Sequence, residues 1–440
     1  MFKLLLKKII AWKLWFLAQL IIKKYHPKLV GVTGSVGKTS TKDAVATVLA
    51  SAHSVRGSEK SYNSEFGVPL TIIGAKSGWN SPIGWSKVFL TAFKLLIKKG
   101  DYPAWLVLEV GADRPGDIKN VAKKLNFDIA IITRLPDVPV HVEFFPNAEA
   151  VAEEKLALAQ AVRAEGVVIL NADDERQLSV KNNLTAKVVT YGLASEADFN
   201  ASHLHLAYKE GEKKELSGLT FKLGSGGTTM PVNLPGVVGK HQAYVALAAV
   251  AAGVETGLNL LQAVEALSRL TPPPGRLRLL KGIKETIILD DTYNASPAAL
   301  AAGLETVKEI EVTGDKWAVL GDMLELGDHT IEAHKEAGRQ AAGAVKHLVT
   351  VGIRTKFMLE GAKETRLPAR QEKFNAKNIH ALPDAVAAGK YLQQHLKAGD
   401  LIYLKGSQRM RLEKAVEEIM QEPQMKELLL CRQDKEWQKR

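Results

Sequence analysis

One cysteine, Cys431, is all the thiol this 440-residue sequence holds. That excludes a disulfide within the chain and a cysteine-ligated metal site, and a reducing cytoplasm is the compartment that fits. The apolar N-terminal run, residues 9–22, falls short of the ~20 residues a membrane-spanning helix needs, and Lys13 and Gln19 interrupt it. No small-residue cleavage site follows, so it is not read as a signal peptide. Internal repeats and low-complexity tracts are missing too. Acid is missing locally. Residues 1–28 carry seven lysines and no Asp or Glu, and residues 76–99 carry five more lysines, again without acid. Outside these stretches the net charge of +11 falls close to balance, which argues against a nucleic-acid binder. At 100° per residue the N-terminal lysines fall all round a helix, so no clean amphipathic stripe results. Residues 1–28 read either as a helix packed on the first domain or as one lying on a membrane surface. Four of the seven tryptophans, Trp12, Trp15, Trp79 and Trp85, fall in or beside the two basic stretches. These stretches, 1–28 and 85–99, either form one membrane-facing surface or pack on each other.

What is present is an α/β rhythm. At 46% hydrophobic and 24% charged, the composition is that of a soluble globular chain, and its length predicts two or three domains. The runs LVGVTG (29–34), WLVLEVGA (105–112), DIAIITRL (128–135), GVVILNAD (166–173) and KVVTYG (187–192) read as buried parallel strands. Helical stretches such as 39–52 and 148–164 lie between them. From about 198 to 236 the pattern alternates polar and apolar around glycines, which predicts a small antiparallel patch. TPPPGRLR (271–278) marks a linker. Beyond it the rhythm restarts with TIILDD, KWAVLGD, HLVTVG and DLIYLKGS. The expected organisation is an N-terminal helix (1–28), a central P-loop ATPase domain (29–271) with a mostly parallel sheet, and a Rossmann-like C-terminal domain (272–440). The last eighteen residues read as a helix or a frayed tail.

The chemistry starts at GVTGSVGKTSTKD (31–43). A strand precedes it and a helix opens at Thr39, the context a phosphate loop requires. Backbone amides from Gly34 through Ser35, Val36, Gly37 and Lys38 are placed to converge on phosphate oxygens at a helix N-terminus. Lys38 then bridges the outer phosphates, and the Thr39 hydroxyl, next to Ser40, holds Mg²⁺. Glu109 closes a buried strand, where an unpartnered carboxylate costs several kcal/mol, so it calls for a metal or an ion pair. His141 reads either as a metal ligand or as a loop histidine. Taken alone, Lys155 among Glu149, Glu153 and Glu154 is a solvated ion-pair lysine.

Taken together, GVTGSVGKTST, SYNSEFGVPLT, LEVGADRPGDI, HVEFF with a helix running to EEK, LNADD, GKHQAYVALAA, PPGRL, DDTYNASP, LGDMLELGDHTIEAHKEAG and LKGSQRM resemble the Mur ligase family, in its order, from about residue 29 to 420. DDTYNASP and LGDMLELG point to the branch that adds D-Ala-D-Ala to a muramoyl tripeptide. The resemblance implies an ATP-dependent, ADP-forming ligase of peptidoglycan precursor synthesis. It also implies an acyl-phosphate intermediate, two Mg²⁺ ions, small-molecule substrates, a cytoplasmic location and a monomer. Lys38 and Thr39 match the phosphate lysine and a magnesium-bound hydroxyl. Glu109 matches a magnesium ligand and His141 the ligand of a second ion. Lys155 matches a lysine carried as a carbamate. Arg276 matches an arginine that reaches the ATP phosphates from the linker. Asp291 matches a ribose-binding aspartate, with Tyr293 and Asn294 in the same nucleotide-facing motif. Asn63 falls beside the sugar-peptide, and Lys405 and Ser407 on the pocket for the incoming amine. In the family's adenine-contacting segment Gln242 retains donor and acceptor, whereas Val245 replaces an Asn.

Members of that branch carry a domain before the loop that grips the uridine diphosphate, and about thirty residues do not build one. The readings are therefore that ligase, a Mur-type ligase acting on a different, lipid-linked acyl substrate or amine, or a non-catalytic nucleotide-binding scaffold at the inner face of the membrane. The joint presence of Lys38, Thr39, Glu109, His141, Lys155, Arg276 and Asp291 argues against the scaffold.

Overall fold

Alternating hydrophobic runs and helices assemble into two separate sheets. The computed structural model describes residues 2–438 except 60–61, 64, 80, 99, 138–141, 210–214 and 366–373, with side chains from residue 7 onward. The first sheet holds β1 (Lys28–Thr33), β2 (Val55–Gly57), β3 (Trp105–Glu109), β4 (Phe127–Ile132), β5 (Val162–Asn171), β6 (Lys187–Gly192), β7 (Phe199–Lys209), β8 (Glu215–Ser225) and β9 (Thr228–Pro235). Its order is β2-β3-β1-β4-β5-β6-β7-β8-β9, parallel through β7, with β8 and β9 added as an antiparallel extension. β3 and β4 are buried at every position, as strands covered on both faces must be.

The helices that cover it are α1 (Phe2–Tyr25), α2 (Lys38–Leu49), α3 (Gly67–Ile73), α4 (Pro82–Ile97), α5 (Asp117–Ala122), α6 (Ala148–Gln160), α7 (Glu175–Ser179), α8 (His241–Glu255) and α9 (Leu260–Leu267). α2, α8 and α9 pack on one face around Val30, Val107 and Ile129. α1, α3, α4, α5 and α6 pack on the other around Leu29, Leu106 and Phe127. The helix expected over 148–164 stops at Gln160. Val162 opens β5 instead, pairing with Phe127 and followed by a register shift. A free sheet edge beside β4 overrides helix propensity there, because buried backbone groups must be paired.

The two basic stretches do pack on each other. Lys24 Nζ donates to the carbonyls of Leu95, Leu96 and Lys98 at 2.8, 2.9 and 2.9 Å. The Tyr25 hydroxyl donates to Leu95 O at 2.9 Å. A cation and a phenol thus satisfy the open carbonyls at the C-terminal end of α4. Among the described residues no helix is long and apolar enough to cross a membrane.

The second sheet holds β10 (Arg278–Lys281), β11 (Ile287–Asp290), β12 (Lys316–Gly321), β13 (His347–Val351), β14 (Ile379–Leu382) and β15 (Leu401–Lys405). Its order is β10-β11-β15-β12-β13-β14, with β10 antiparallel to β11 and the rest parallel. α10 (Pro297–Glu309), α11 (Thr330–Ala344) and α12 (Lys356–Glu364) cover one face. α13 (Ala385–His395) and α14 (Glu413–Ile419) cover the other. The tail does not fray. Leu430, Cys431 and Arg432 are buried. β1, β4, β5 and β6 end at one cleft, and β11 and β15 end at the same cleft, so both sheets offer it their carboxyl ends.

α10 crosses β15 at Gly303, where a Cβ would meet the Tyr403 phenol. That phenol donates to Asp291 Oδ2 at 3.2 Å. Gly303→Ala is therefore expected to lower stability by about 1–3 kcal/mol, read as a lower urea midpoint. An unchanged midpoint would show that this crossing is looser than described.

Candidate functional site

β1 delivers the chain to the loop 34–37, and α2 begins at Lys38. Two glycines make the turn. Gly34 has φ 137°, and any Cβ there would strike Thr133, whose carbonyl oxygen would lie 2.9 Å away. Gly37 has φ 86° and caps α2 in the left-handed region, where only glycine sits without strain. Lys38 Nζ folds back to donate to Gly34 O at 2.9 Å. Burial, partly offset by the nearby Glu109 charge, holds the Lys38 amine below its ordinary range. The amides of Ser35 and Val36 donate to Arg134 O at 3.1 and 3.4 Å. So two of the amides expected to converge on phosphate are turned toward the end of β4. Thr39 and Ser40 are buried at the start of α2 and line the cleft.

Glu109 ends β3 at 1% exposure. Its Oε1 accepts from Asn63 Nδ2 at 3.2 Å, while Oε2 is buried without a hydrogen-bond partner. Asn63 is thus held against the carboxylate. An orphaned buried carboxylate oxygen beside a phosphate loop suits a divalent cation with oxygen ligands. Among the described residues no group of three or more His, Cys, Asp or Glu gathers into a metal cage. A Mg²⁺ that arrives with ATP needs only one or two protein donors, since phosphates and waters supply the rest. His141 lies outside the described residues.

Lys155 is not the solvated ion-pair lysine that its helical neighbours suggest. It is 3% exposed, and its Nζ donates to Ala112 O at 3.2 Å. The adjacent Glu154 is occupied elsewhere, accepting from the amides of Gly116, Ile118 and Lys119 at 2.9, 2.7 and 3.2 Å. It caps the N-terminus of α5, where a carboxylate is favoured. Burial first, and then the Lys38 charge, push the Lys155 amine down to about 7.

Arg276 crosses from the linker to the loop. Its Nη2 donates to Thr39 Oγ1 at 3.2 Å, and its guanidinium lies 4.1 Å from the centre of the Tyr293 ring. Tyr293 is fixed in turn by its own amide on Gly275 O at 3.0 Å. Arg432, absent from the sequence-based expectations, donates to Tyr293 O at 2.7 Å, Thr292 O at 2.6 Å and Glu413 Oε2 at 2.7 Å. The tail thereby braces the Thr292–Tyr293 backbone; the sequence offers no signal beyond one arginine in a charged tail.

Asp291 and Lys405, expected on the nucleotide and amine sides respectively, form one buried ion pair at 2.7 Å. Lys405 also donates to Asn294 O at 3.0 Å. Burial lowers the Lys405 amine's pKa, and Asp291 opposes that shift. Ser407 accepts from Leu324 N at 2.9 Å and stands outside the cleft wall. The cleft itself holds about 700 Å³ between the two sheets, within the range of small-molecule sites. Gln242 and Val245 line it, as do Tyr191 and Tyr244, whose rings meet edge to face at 6.4 Å. Burial pushes His241, also at the cleft, down to about 4, so it faces a ligand as a neutral imidazole.

Two mostly parallel sheets flank a glycine-rich loop at a helix N-terminus and a crossing arginine, an arrangement that suits a nucleotide-using α/β protein, and comparison with known proteins gives its family. Residues 32–253 match the Mur ligase middle domain, and residues 275–408 match the Mur ligase, glutamate ligase domain. The chain belongs to the Mur ligase family. It is 29% identical over 408 residues to the UDP-N-acetylmuramoyl-tripeptide–D-alanyl-D-alanine ligase of Bacillus subtilis, covering 92% of this chain and 79% of that protein. It is 32% identical over 394 residues to the enzyme of the same name from Mycobacterium bovis, covering 86% of this chain and 70% of that one. A crystal structure of the MurF ligase from Thermotoga maritima in complex with ADP superposes with a TM-score of 0.74 at 25% identity, covering 93% of this chain and 83% of that one.

Lys405→Met would strand the Asp291 carboxylate in a buried place. A loss of about 3–5 kcal/mol is expected in denaturant unfolding, with most of it recovered in Lys405→Met/Asp291→Asn. A single variant as stable as the parent would show the pair to be solvated.

Proposed function

We propose that this chain is an ATP-dependent amide ligase that joins D-Ala-D-Ala to a UDP-muramoyl tripeptide, releasing ADP and phosphate. The observation that carries the reading is the meeting of Thr39, Arg276 and Asp291 from different elements at one cleft, with Lys38 next to Thr39 and within reach of the Arg276 charge, in a chain whose relatives bear that enzyme's name. A peptide carboxylate is a poor electrophile. Its oxygen attacks the γ-phosphorus of ATP, the bond to ADP breaks, and an acyl phosphate results. The dipeptide amine then attacks the acyl carbon, phosphate leaves, and the amine proton is released. The chain's task in the first step is electrostatic, because the carboxylate and the γ-phosphate repel each other. Lys38 and Arg276 offset that repulsion from two sides. Asp291, backed by Lys405, is oriented for the ribose hydroxyls. Gln242 and the Tyr191–Tyr244 corner bound the adenine end, with Val245 as an apolar wall. Asn63, held against Glu109, belongs to the peptide end, and Ser407, outside the cleft wall, acts on the amine end only through the Leu324 backbone it holds.

Magnesium bound with ATP supplies further charge neutralisation at the phosphates. Thr39 and Glu109 are the residues that would hold it, with His141 and Lys155 for a second ion. For that role Lys155 is carried as a carbamate, formed when its neutral amine adds to CO₂ and loses a proton. An amine pushed down to about 7 by burial is substantially neutral near pH 7. The protein works as a monomer in the cytoplasm, at the inner face of the membrane. A lipid-linked peptide as acyl substrate is a second reading, favoured by the apolar, basic outer faces of α1 and α4.

Incubation with ATP, UDP-muramoyl tripeptide and D-Ala-D-Ala is expected to yield the pentapeptide by mass spectrometry. Lys38→Ala should cut that yield and the accompanying phosphate release by at least about a hundred-fold. Pentapeptide formation by Lys38→Ala at the parent rate would remove the loop from the mechanism. ADP release with a lipid-linked acceptor, and none with the soluble one, would transfer the assignment to the second reading. Lys155→Ala should lose activity and regain part of it in short carboxylic acids that stand in for the carbamate. Parent activity should climb as pH rises through about 7 in bicarbonate, because only the neutral amine adds CO₂. Full activity of Lys155→Ala without added acid would rule the carbamate out.

A further inference from the structure

The outer faces of α1 and α4 take no part in the cleft. α3 is buried at every residue, and α1 and α4 lie over it side by side, locked together where Lys24 and Tyr25 cap α4. Both therefore turn their free faces away from the sheet. On α1 that face carries Ile9, Trp12, Phe16 and Leu20, which are 42, 66, 51 and 37% exposed. On α4 it carries Ile83, Leu90, Phe93 and Ile97, which are 71, 59, 51 and 80% exposed. Each set recurs at three, four or seven residues, so each forms one stripe along its helix. Exposed lysines sit within the same stripes: Lys13 and Lys23 on α1, Lys87 and Lys94 on α4. Neither helix contains an acidic residue. Apolar side chains of this size, gathered on one outer layer, mark a contact surface.

We infer that α1 and α4 form a docking surface for an anionic lipid bilayer. Charge selects this occupant. A second copy would meet the face through the same face, setting lysines against lysines with no carboxylate to pair them. A bilayer with anionic headgroups offers the opposite charge to the lysines and hydrocarbon to the residues between them. Trp12 suits the headgroup boundary, and the lysine stems reach outward from the apolar layer to the phosphates. Among the described residues no helix is able to span the bilayer, so the pair lies along its surface. The inference stands whether or not the ligase reading does, since none of these residues faces the cleft.

The test is sedimentation of the full chain with vesicles of phosphatidylglycerol and phosphatidylcholine in equal parts, against vesicles of phosphatidylcholine alone. Binding to the mixed vesicles is expected, with a drop of at least about ten-fold on neutral vesicles and at high salt. The same drop is expected for Trp12→Glu/Phe93→Glu and for Lys87→Glu/Lys94→Glu. All four positions are exposed, and unchanged urea midpoints check that the variants fold. Failure of the parent to bind mixed vesicles, or equal binding by both variants, overturns the proposal. A dimer in light scattering that Trp12→Glu/Phe93→Glu abolishes also overturns it, and assigns the face to a second copy.

Discussion

The Arg276 guanidinium, stacked on Tyr293 and hydrogen-bonded to Thr39, is the contact on which the site depends. It originates in the linker, and it ties the start of α2 beside the first sheet to the Tyr293 segment beside the second. Arginine suits this position better than lysine. Its planar, fully charged head stacks and donates at once, and it keeps donors for phosphate. Its placement is inherited from further away. Tyr293 is held by Gly275 behind it and by Arg432 from the tail, whose charge is met by Glu413. A segment outside both family-matched regions thus stiffens the residue on which the crossing arginine rests.

Around that crossing lie three lysines, of which Lys405 lines the cleft. Lys38, Lys155 and Lys405 are each pushed below the ordinary lysine range by burial, and their neighbours differ enough to separate their roles. Lys405 has Asp291 at 2.7 Å as its ion-pair partner, which opposes the downward shift that burial imposes. Lys38 lies near Glu109 and Asp113, which favour its charge, and near Arg276, which opposes it. Lys155 donates to a carbonyl, and burial followed by the Lys38 charge pushes its amine down to about 7. Burial under different partners thus gives one residue type three different electrostatic settings.

Much of the fold was legible because Val, Ile and Leu cluster in runs that only a doubly covered sheet explains. β1, β3, β4, β5 and β6 are such runs. β2 and β14, three and four residues long, carry no pattern strong enough to read. β10 follows directly on a proline-rich linker and is identified by its partner β11, not by its own residues. At the site, the loop and Glu109 were readable from position at strand ends. Lys155 was not, because its glutamate neighbours look like ion-pair partners on a helical wheel. The fold assigns Glu154 to the amides of α5, which no sequence spacing encodes. Arg432 was unreadable for the same reason: its partners are backbone carbonyls some 140 residues away.

α1 shows where periodicity stops being informative. A helix with one apolar stripe has a direction, and the stripe identifies the core. α1 is apolar on two opposite sides, with Leu14, Ala18 and Ile21 against the domain and Trp12, Phe16 and Leu20 facing out. The two sides cancel in any measure of asymmetry, and the lysines between them fall all round. Such a helix looks featureless in sequence, yet in the fold each side has a separate demand to meet. The inner side is satisfied by α3 and α4. The outer side, with α4's stripe beside it and no acid on either helix, is satisfied by nothing within the described chain. A soluble surface usually breaks such a stripe with carboxylates, and here the charged residues that break it are all lysine, tryptophan's usual companion at a lipid headgroup layer.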